Sequence, residues 1–182
     1  MTLAQLKGKR VAWVDPLSAS GYVLPRIQLA ARGLDPRILF KNERFYLSHE
    51  ASVRAVVDRQ ADVAGTYARL DHDGSILRGS WSQVERAEGV ITVIATFGAV
   101  PPDVTAARLD VDPALRDRVS RALIAMSFDE IGAPLVRDVF GVDEFRPWEP
   151  ADYEALRVAM ADAAARGLLD AGDATGQFPT QH

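Results

Sequence analysis

Arg10-Val11-Ala12-Trp13-Val14 runs directly into Asp15-Pro16-Leu17-Ser18-Ala19-Ser20-Gly21 and then into Tyr22-Val23-Leu24-Pro25. This stretch decides the fold. The first five residues, bounded by Lys-Gly before and Asp-Pro after, have the length and composition of a buried strand. From Tyr22 to Arg32 the apolar positions Val23, Ile27, Ala30 and Ala31 recur at helical spacing, and Gly33 is placed to close the helix. Pro25 is tolerable only near a helix start. The first regular turn therefore begins near Tyr22 to Leu24, and residues 18–21 form the entry loop. The first backbone N–H groups of such a helix lack intrahelical partners, and the helix dipole favours negative charge beside them. A strand that hands over to a helix through small hydroxyl residues and a glycine is a cradle for an oxyanion.

The pattern repeats downstream. Residues 44–47 read as a second strand, extending back towards Phe40. Ser48 is an N-cap for a helix over residues 49–59, with Val53, Val56 and Val57 on one face. Asp62-Val63-Ala64-Gly65-Thr66-Tyr67 reads as a short third strand. Strand, helix, strand, helix, strand at this spacing implies right-handed crossovers and a parallel sheet, hence an α/β class.

Residues 71–89 are turn-rich and polar, with Trp81 as the single large anchor. Residues 90–99 read as a long strand, or a strand plus a crossing segment, broken by Pro101-Pro102. Another strand is expected at residues 105–109. Asp112-Pro113 then opens a helix with Leu115, Val119, Ala122, Leu123 and Met126 on one stripe. A second helix runs over 130–140 and ends at Gly141. A third, over 151–169, turns Tyr153, Leu156, Met160 and Ala164 inward. The expected organisation is an α/β ligand-binding lobe over residues 1–90, a crossover strand and helices of a second, incomplete lobe over 91–170, and a fraying tail over 171–182.

Composition narrows the function classes. In 182 residues, 48% are hydrophobic and 25% charged, ordinary for a globular protein. The formal net charge of −4, with no Lys/Arg cluster, argues against nucleic acid as a partner. The absence of cysteine excludes disulfides, thiolate metal sites and a cysteine nucleophile. No run approaches the ~18 apolar residues of a membrane span. The first ten residues lack the charged-then-apolar order of a signal peptide, which points to the cytoplasm if the chain is natural as given.

Two helix N-termini, at Ser20-Gly21 and Ser48-His49, thus follow neighbouring strands of one parallel sheet. Ligands of open α/β sheets bind at the carboxyl ends of strands. Ser18 and Ser20 offer hydroxyls, Gly21 permits close backbone approach, and His49 offers a ring N–H; all can donate to one oxyanion. Turn and cap duty alone would equally account for the two serines. A first-turn histidine is commonly just surface, yet a cationic one is unfavourable there, so a neutral donor or an anion partner is its natural state. His72 and His182 lie in a polar loop and a tail. The histidines have no metal-ligand spacing, and no cofactor motif is present.

These residues resemble a family. The run from Val14 to Pro25, Ser48-His49-Glu50 before Val53-Arg54-Ala55-Val56, Ala61-Asp62-Val63-Ala64-Gly65, and Pro101-Pro102-Asp103 resemble the phosphonate, phosphite and phosphate substrate-binding proteins of ABC transporters. These belong to the type 2 periplasmic-binding-protein superfamily, and the resemblance covers most of residues 6–157. It implies one complete lobe with a parallel-rich sheet and the C-terminal part of a second lobe. It also implies a small phosphorus oxyanion as ligand, an ABC permease as partner, and a periplasmic or membrane-anchored extracytoplasmic location. Carried over by position, the ligand contacts would be Ser18, Ser20 and His49, Ala19 and Gly21 through their backbone, and Asp103.

Three departures from the family pattern matter. Ala19 stands where a hydroxyl residue is frequent, removing one donor. Arg69 falls where amine-binding relatives carry an acidic residue, which would favour a more anionic ligand if it faces the cleft. The family's N-terminal segment has no counterpart in this sequence, so residues 100–170 should expose apolar surface or be covered by a partner, such as a second copy of the chain. A cytoplasmic or fused ligand-sensing domain of the same fold is the alternative function. A nucleophilic trio of Ser20, His49 and Asp103 is disfavoured, since no Gly-x-Ser-x-Gly elbow is present.

Overall fold

The computed structural model describes residues 2–98, 100–101 and 103–169. They form two units by packing, one up to Val100 and from Leu156 onward, the other Pro101–Ala155. The expected tail at 171–182 lies outside the described residues.

The first unit is built on a three-stranded parallel sheet: β1 (Arg10–Trp13), β2 (Asn42–Phe45) and β3 (Val63–Ala64), in the order β2-β1-β3. β1 sits in the centre and is buried from Val11 to Trp13. A five-residue π-helical turn, Ala19–Val23, leads into α1 (Leu24–Ala31), with Pro25 in its first turn as required. Gly33 follows at φ +78, the left-handed conformation that closes a helix. A short helix α2 (Pro36–Leu39), capped by the Asp35 carboxylate, precedes β2. Then α3 (His49–Val57) follows its expected cap: the Ala51 N–H donates to Ser48 Oγ at 3.1 Å.

Alternate residues of β1 face opposite sides, and each side has its own cover. Val11 and Trp13 pack with Tyr22 and Val23, joined by Ile27 of α1 and by Phe40, Phe45 and Val63. Ala12 packs with Ala55 of α3 and Ala61. The helices α1 and α3 therefore lie on opposite faces of the sheet. This is the arrangement expected when one crossover runs to β2 and the next returns across β1 to β3.

The aromatic side is closed by a buried ion pair. Arg26, 1% exposed, pairs through Nη1 with Glu43 Oε2 and donates from Nε to the Leu168 carbonyl at 2.6 Å. Trp13 Nε1 donates to the same Glu43 oxygen at 2.6 Å, and Tyr22 lies under the guanidinium at 5.1 Å. The Tyr22 hydroxyl donates to the Leu169 carbonyl at 3.1 Å. Residues 168–169 are thereby fastened to the sheet from more than 140 positions away.

Several expectations fail beyond β3. The third strand is only Val63–Ala64, and the chain turns off into an antiparallel hairpin, β4 (Ala68–Leu70) and β5 (Ile76–Gly79), where a turn-rich loop was expected. Residues 91–98 form no strand. Ile91 joins a cluster around Val53, while Ile94 and Phe97 join one around Leu29, so the segment is held by side chains with no ladder partner. Nor is there a strand at 105–109. An apolar run becomes a strand only where another strand's backbone is free to pair with it.

In the second unit α4 (Pro113–Met126) starts as expected, with the Leu115 N–H donating to the Asp112 carboxylate at 3.0 Å. None of its residues is buried, and its stripe leaves Leu115 42% and Val119 48% exposed. A helical turn α5 (Gly132–Leu135) continues as a π-helical turn to Phe140, where Gly141 (φ +67) stops it. The last helix, α6 (Ala151–Ala165), buries Ala163; Met160 and Ala164, expected inward, are exposed.

Replacing Arg26 by Met leaves Glu43 without its buried partner and the Leu168 carbonyl without its donor. The expected loss is about 3 kcal/mol in urea unfolding. Adding Glu43→Gln to that variant should recover part of it, which a double-mutant cycle measures.

Candidate functional site

Three chain segments meet at the carboxyl edge of the parallel sheet: residues 14–21 after β1, residues 46–49 after β2, and residues 65–67 after β3. Backbone bonds hold them together. The Tyr46 N–H donates to the Trp13 carbonyl at 2.9 Å, the Leu47 N–H to Val14 at 2.8 Å, and the Gly65 N–H to Ala12 at 3.0 Å. Ser52 of α3 donates its hydroxyl to the Trp13 carbonyl at 3.0 Å. Because the crossovers reverse direction at β1, this edge is the position where such sheets bind ligands.

The fit is close enough to require glycine twice. A Cβ on Gly65 would lie 2.6 Å from the Gly21 carbonyl oxygen and 2.6 Å from the Trp13 ring. One on Gly21 would lie 2.3 Å from Val14 and 2.8 Å from Ser18 Oγ. The loops after β1 and β3 therefore touch backbone to backbone.

Ser18 caps the turn that begins at Ala19. Its Oγ accepts from the Gly21 N–H at 3.1 Å, which leaves the hydroxyl hydrogen to donate elsewhere. The amide N–H groups of Ala19 and Ser20 take part in none of the hydrogen bonds of this turn, as expected for the first residues of a helix. Asp15 shapes the approach: its Oδ1 accepts from the Leu17 N–H at 2.8 Å and its carbonyl from the Ser18 N–H at 3.2 Å. Across the edge, the Ser48 cap uses the Ala51 N–H and leaves those of His49 and Glu50.

His49 is half-buried. Its Nδ1 lies 3.0 Å from Thr66 Oγ1, which lies 2.6 Å from Ser80 Oγ, and its ring meets Tyr67 edge-on at 4.8 Å. Among the described residues Nε2 has no hydrogen-bond partner. Burial pushes the imidazole below its ordinary value of 6.5, against the opposing pull of Asp15 and Glu50. Burial thus favours the uncharged ring.

Of the residues marked out in the sequence, Ser18, Ala19, Ser20, Gly21 and His49 thus stand along one sheet edge. Arg69 is exposed on β4, opposite Arg78 of β5. Asp103 is exposed in the second unit. Sequence reasoning passed over Thr66, Tyr67 and Ser80. Thr66 and Tyr67 could have been found, because they follow β3 as Ser18 follows β1. Ser80 carries no such signal, since only the unforeseen hairpin returns it to the sheet. Among the described residues no group of three His, Asp or Glu could hold a metal ion, and no helix is long and apolar enough to cross a membrane.

Residues 1–153 match the model of a family described as ABC transporter, phosphonate, periplasmic substrate-binding protein. The chain belongs to this family. Two solved structures of XAC2383 from Xanthomonas citri, bound to chloride ion and to ATP, resemble it with TM-scores of 0.63 and 0.65 at 20% and 22% identity. At that identity the likeness shows the fold, a mixed α/β periplasmic-binding-like architecture with a parallel sheet. Each match covers 93% of this chain and 62% of the other, so this member spans less than two thirds of those chains and presents part of the fold.

Two predictions follow from the geometry of this member. Gly65→Ala should destabilise it by about 2 kcal/mol or more in urea unfolding, because the added methyl meets backbone and a buried ring. The second concerns pH. The unfolded chain protonates His49 near pH 6.5, whereas the folded chain holds it neutral to a lower pH. Its contribution to stability is therefore complete above about pH 6.5 and falls away as the pH drops through the lowered folded value. His49→Gln should flatten the urea midpoint across that window.

Proposed function

We propose that this chain is a solute-binding module for a small phosphorus oxyanion, a phosphonate, phosphite or phosphate, serving uptake by an ABC transporter outside the cytoplasm. The observation that carries this reading is the convergence of unused donors at the carboxyl edge of the sheet. The Ala19 and Ser20 amides, the Ser18 and Ser20 hydroxyls, the first amides of α3 and the neutral ring of His49 gather beside the positive ends of two helix dipoles. Backbone and hydroxyl donors of this kind bind tetrahedral oxyanions without a cationic side chain. Family membership supports the transport role, and the permease partner follows from it.

Asp103 and Arg69 are added as candidate contacts on the family resemblance alone. An Asp beside an oxyanion helps only when one of the two carries a proton, or when the ligand brings an amine. Arg69, if turned towards the ligand, disfavours an aminoalkyl group and favours a more highly charged anion.

Calorimetric titration with phosphate, phosphite, methylphosphonate and 2-aminoethylphosphonate tests the assignment, with chloride and ATP as comparison anions. At least one phosphorus oxyanion should bind below millimolar, and Ser20→Ala should weaken it about tenfold, the size of one lost hydrogen bond to a charged group. Binding no tighter than millimolar for all four would sink the ligand assignment.

A further inference from the structure

The chain of three side chains His49, Thr66 and Ser80 has a direction that follows from its hydrogens. Ser80 is fully buried, and its Oγ reaches one partner, Thr66 Oγ1 at 2.6 Å. Thr66 Oγ1 in turn reaches Ser80 Oγ and His49 Nδ1, the latter at 3.0 Å. Two hydroxyl hydrogens must be placed on these two contacts. If His49 Nδ1 carried the ring proton and donated to Thr66, one hydroxyl hydrogen would have no acceptor within this cluster. With Thr66 donating to Ser80 the stranded hydrogen would be that of fully buried Ser80, and with Ser80 donating to Thr66 it would be that of half-buried Thr66. A stranded buried hydroxyl costs about 1–3 kcal/mol. In the opposite sense Ser80 donates to Thr66, Thr66 donates to Nδ1, and every hydroxyl hydrogen is used.

We propose that Thr66 and Ser80 are positioning residues that fix His49 as the Nε2–H tautomer, so that the ring presents a donor at the sheet edge. The same pair holds the ring orientation, with Tyr67 against its side at 4.8 Å. A fixed Nε2–H offers a donor and no acceptor, so it favours a deprotonated oxyanion oxygen, the stronger acceptor, over a P–OH group, whose hydrogen it cannot take. This consequence rests on the site binding an oxyanion; the tautomer does not.

The test is nitrogen NMR of ligand-free protein labelled with 15N-histidine. His49 is one of three histidines, and its signals are those lost in His49→Gln. The expected wild-type spectrum has a pyridine-type Nδ1 and a pyrrole-type Nε2. Thr66→Val, which cannot donate to Nδ1, should move both signals towards a tautomer mixture, and Thr66→Ser should restore them. A pyrrole-type Nδ1 in the wild type, or a Thr66→Val spectrum unchanged from wild type, overturns the proposal. Calorimetry then separates the two readings. Thr66→Val should weaken oxyanion binding about tenfold and Thr66→Ser about twofold or less. A wild type with the expected tautomer that binds no oxyanion supports the tautomer assignment and overturns the function.

Discussion

The backbone of β1 is buried and must be hydrogen-bonded on both sides. An unpaired N–H or C=O in that position would forfeit the desolvation cost of a polar group. Only two more parallel strands can meet that demand, and each must return to the same end of the sheet to begin again. The exits of all three strands are thereby forced side by side. Arg10 tightens the arrangement at the other end, where its N–H, Nε and Nη2 all donate to the Asp62 carboxylate just before β3, holding that carboxyl well below the usual range. A strand of four residues is enough to organise the unit because both its edges and both its faces are used.

The candidate site follows from the same demand. Helices that start at the exits of adjacent parallel strands turn their unpaired N–H groups towards the same region. The structure closes that region from below by backbone contact, since Gly21 and Gly65 leave no room for a side chain between the loops. Donors are left unused in a setting that is otherwise well satisfied. The second unit has a different character. Its longest helix buries no residue, and Phe128, Ile131 and Trp148 are more than 60% exposed.

Much of this was legible residue by residue. Pro25 dated the start of α1 because proline tolerates only a helix beginning. Ser48 and Asp112 marked their helices because a side-chain acceptor beside an apolar period is a cap. The strand expected at 90–99 failed for a reason no local pattern carries. Its residues are apolar enough, but the edges of the short β3 and of β2 are not paired with it, and Ile91, Ile94 and Phe97 found burial through side chains instead. The hairpin at 68–79 failed in the opposite direction. Its polar, turn-rich composition looks like loop, and its pairing arises from contact between its own two halves.

By itself the sequence determined the strand–helix–strand–helix–strand order up to β3, the parallel sense of that sheet, the hydroxyl-rich turn that opens α1 and the Ser48 cap that opens α3. Those are consequences of short-range sterics, capping and periodicity, which a chain carries wherever it goes. Tertiary structure alone decided which residues complete the site. Thr66 reaches His49 because β3 lies beside β1, and Ser80 reaches Thr66 because a hairpin brings the chain back after fourteen positions of polar sequence. Whether a histidine is a surface residue or an oriented, neutral donor depends on what is buried around it, and burial is a property of the folded chain.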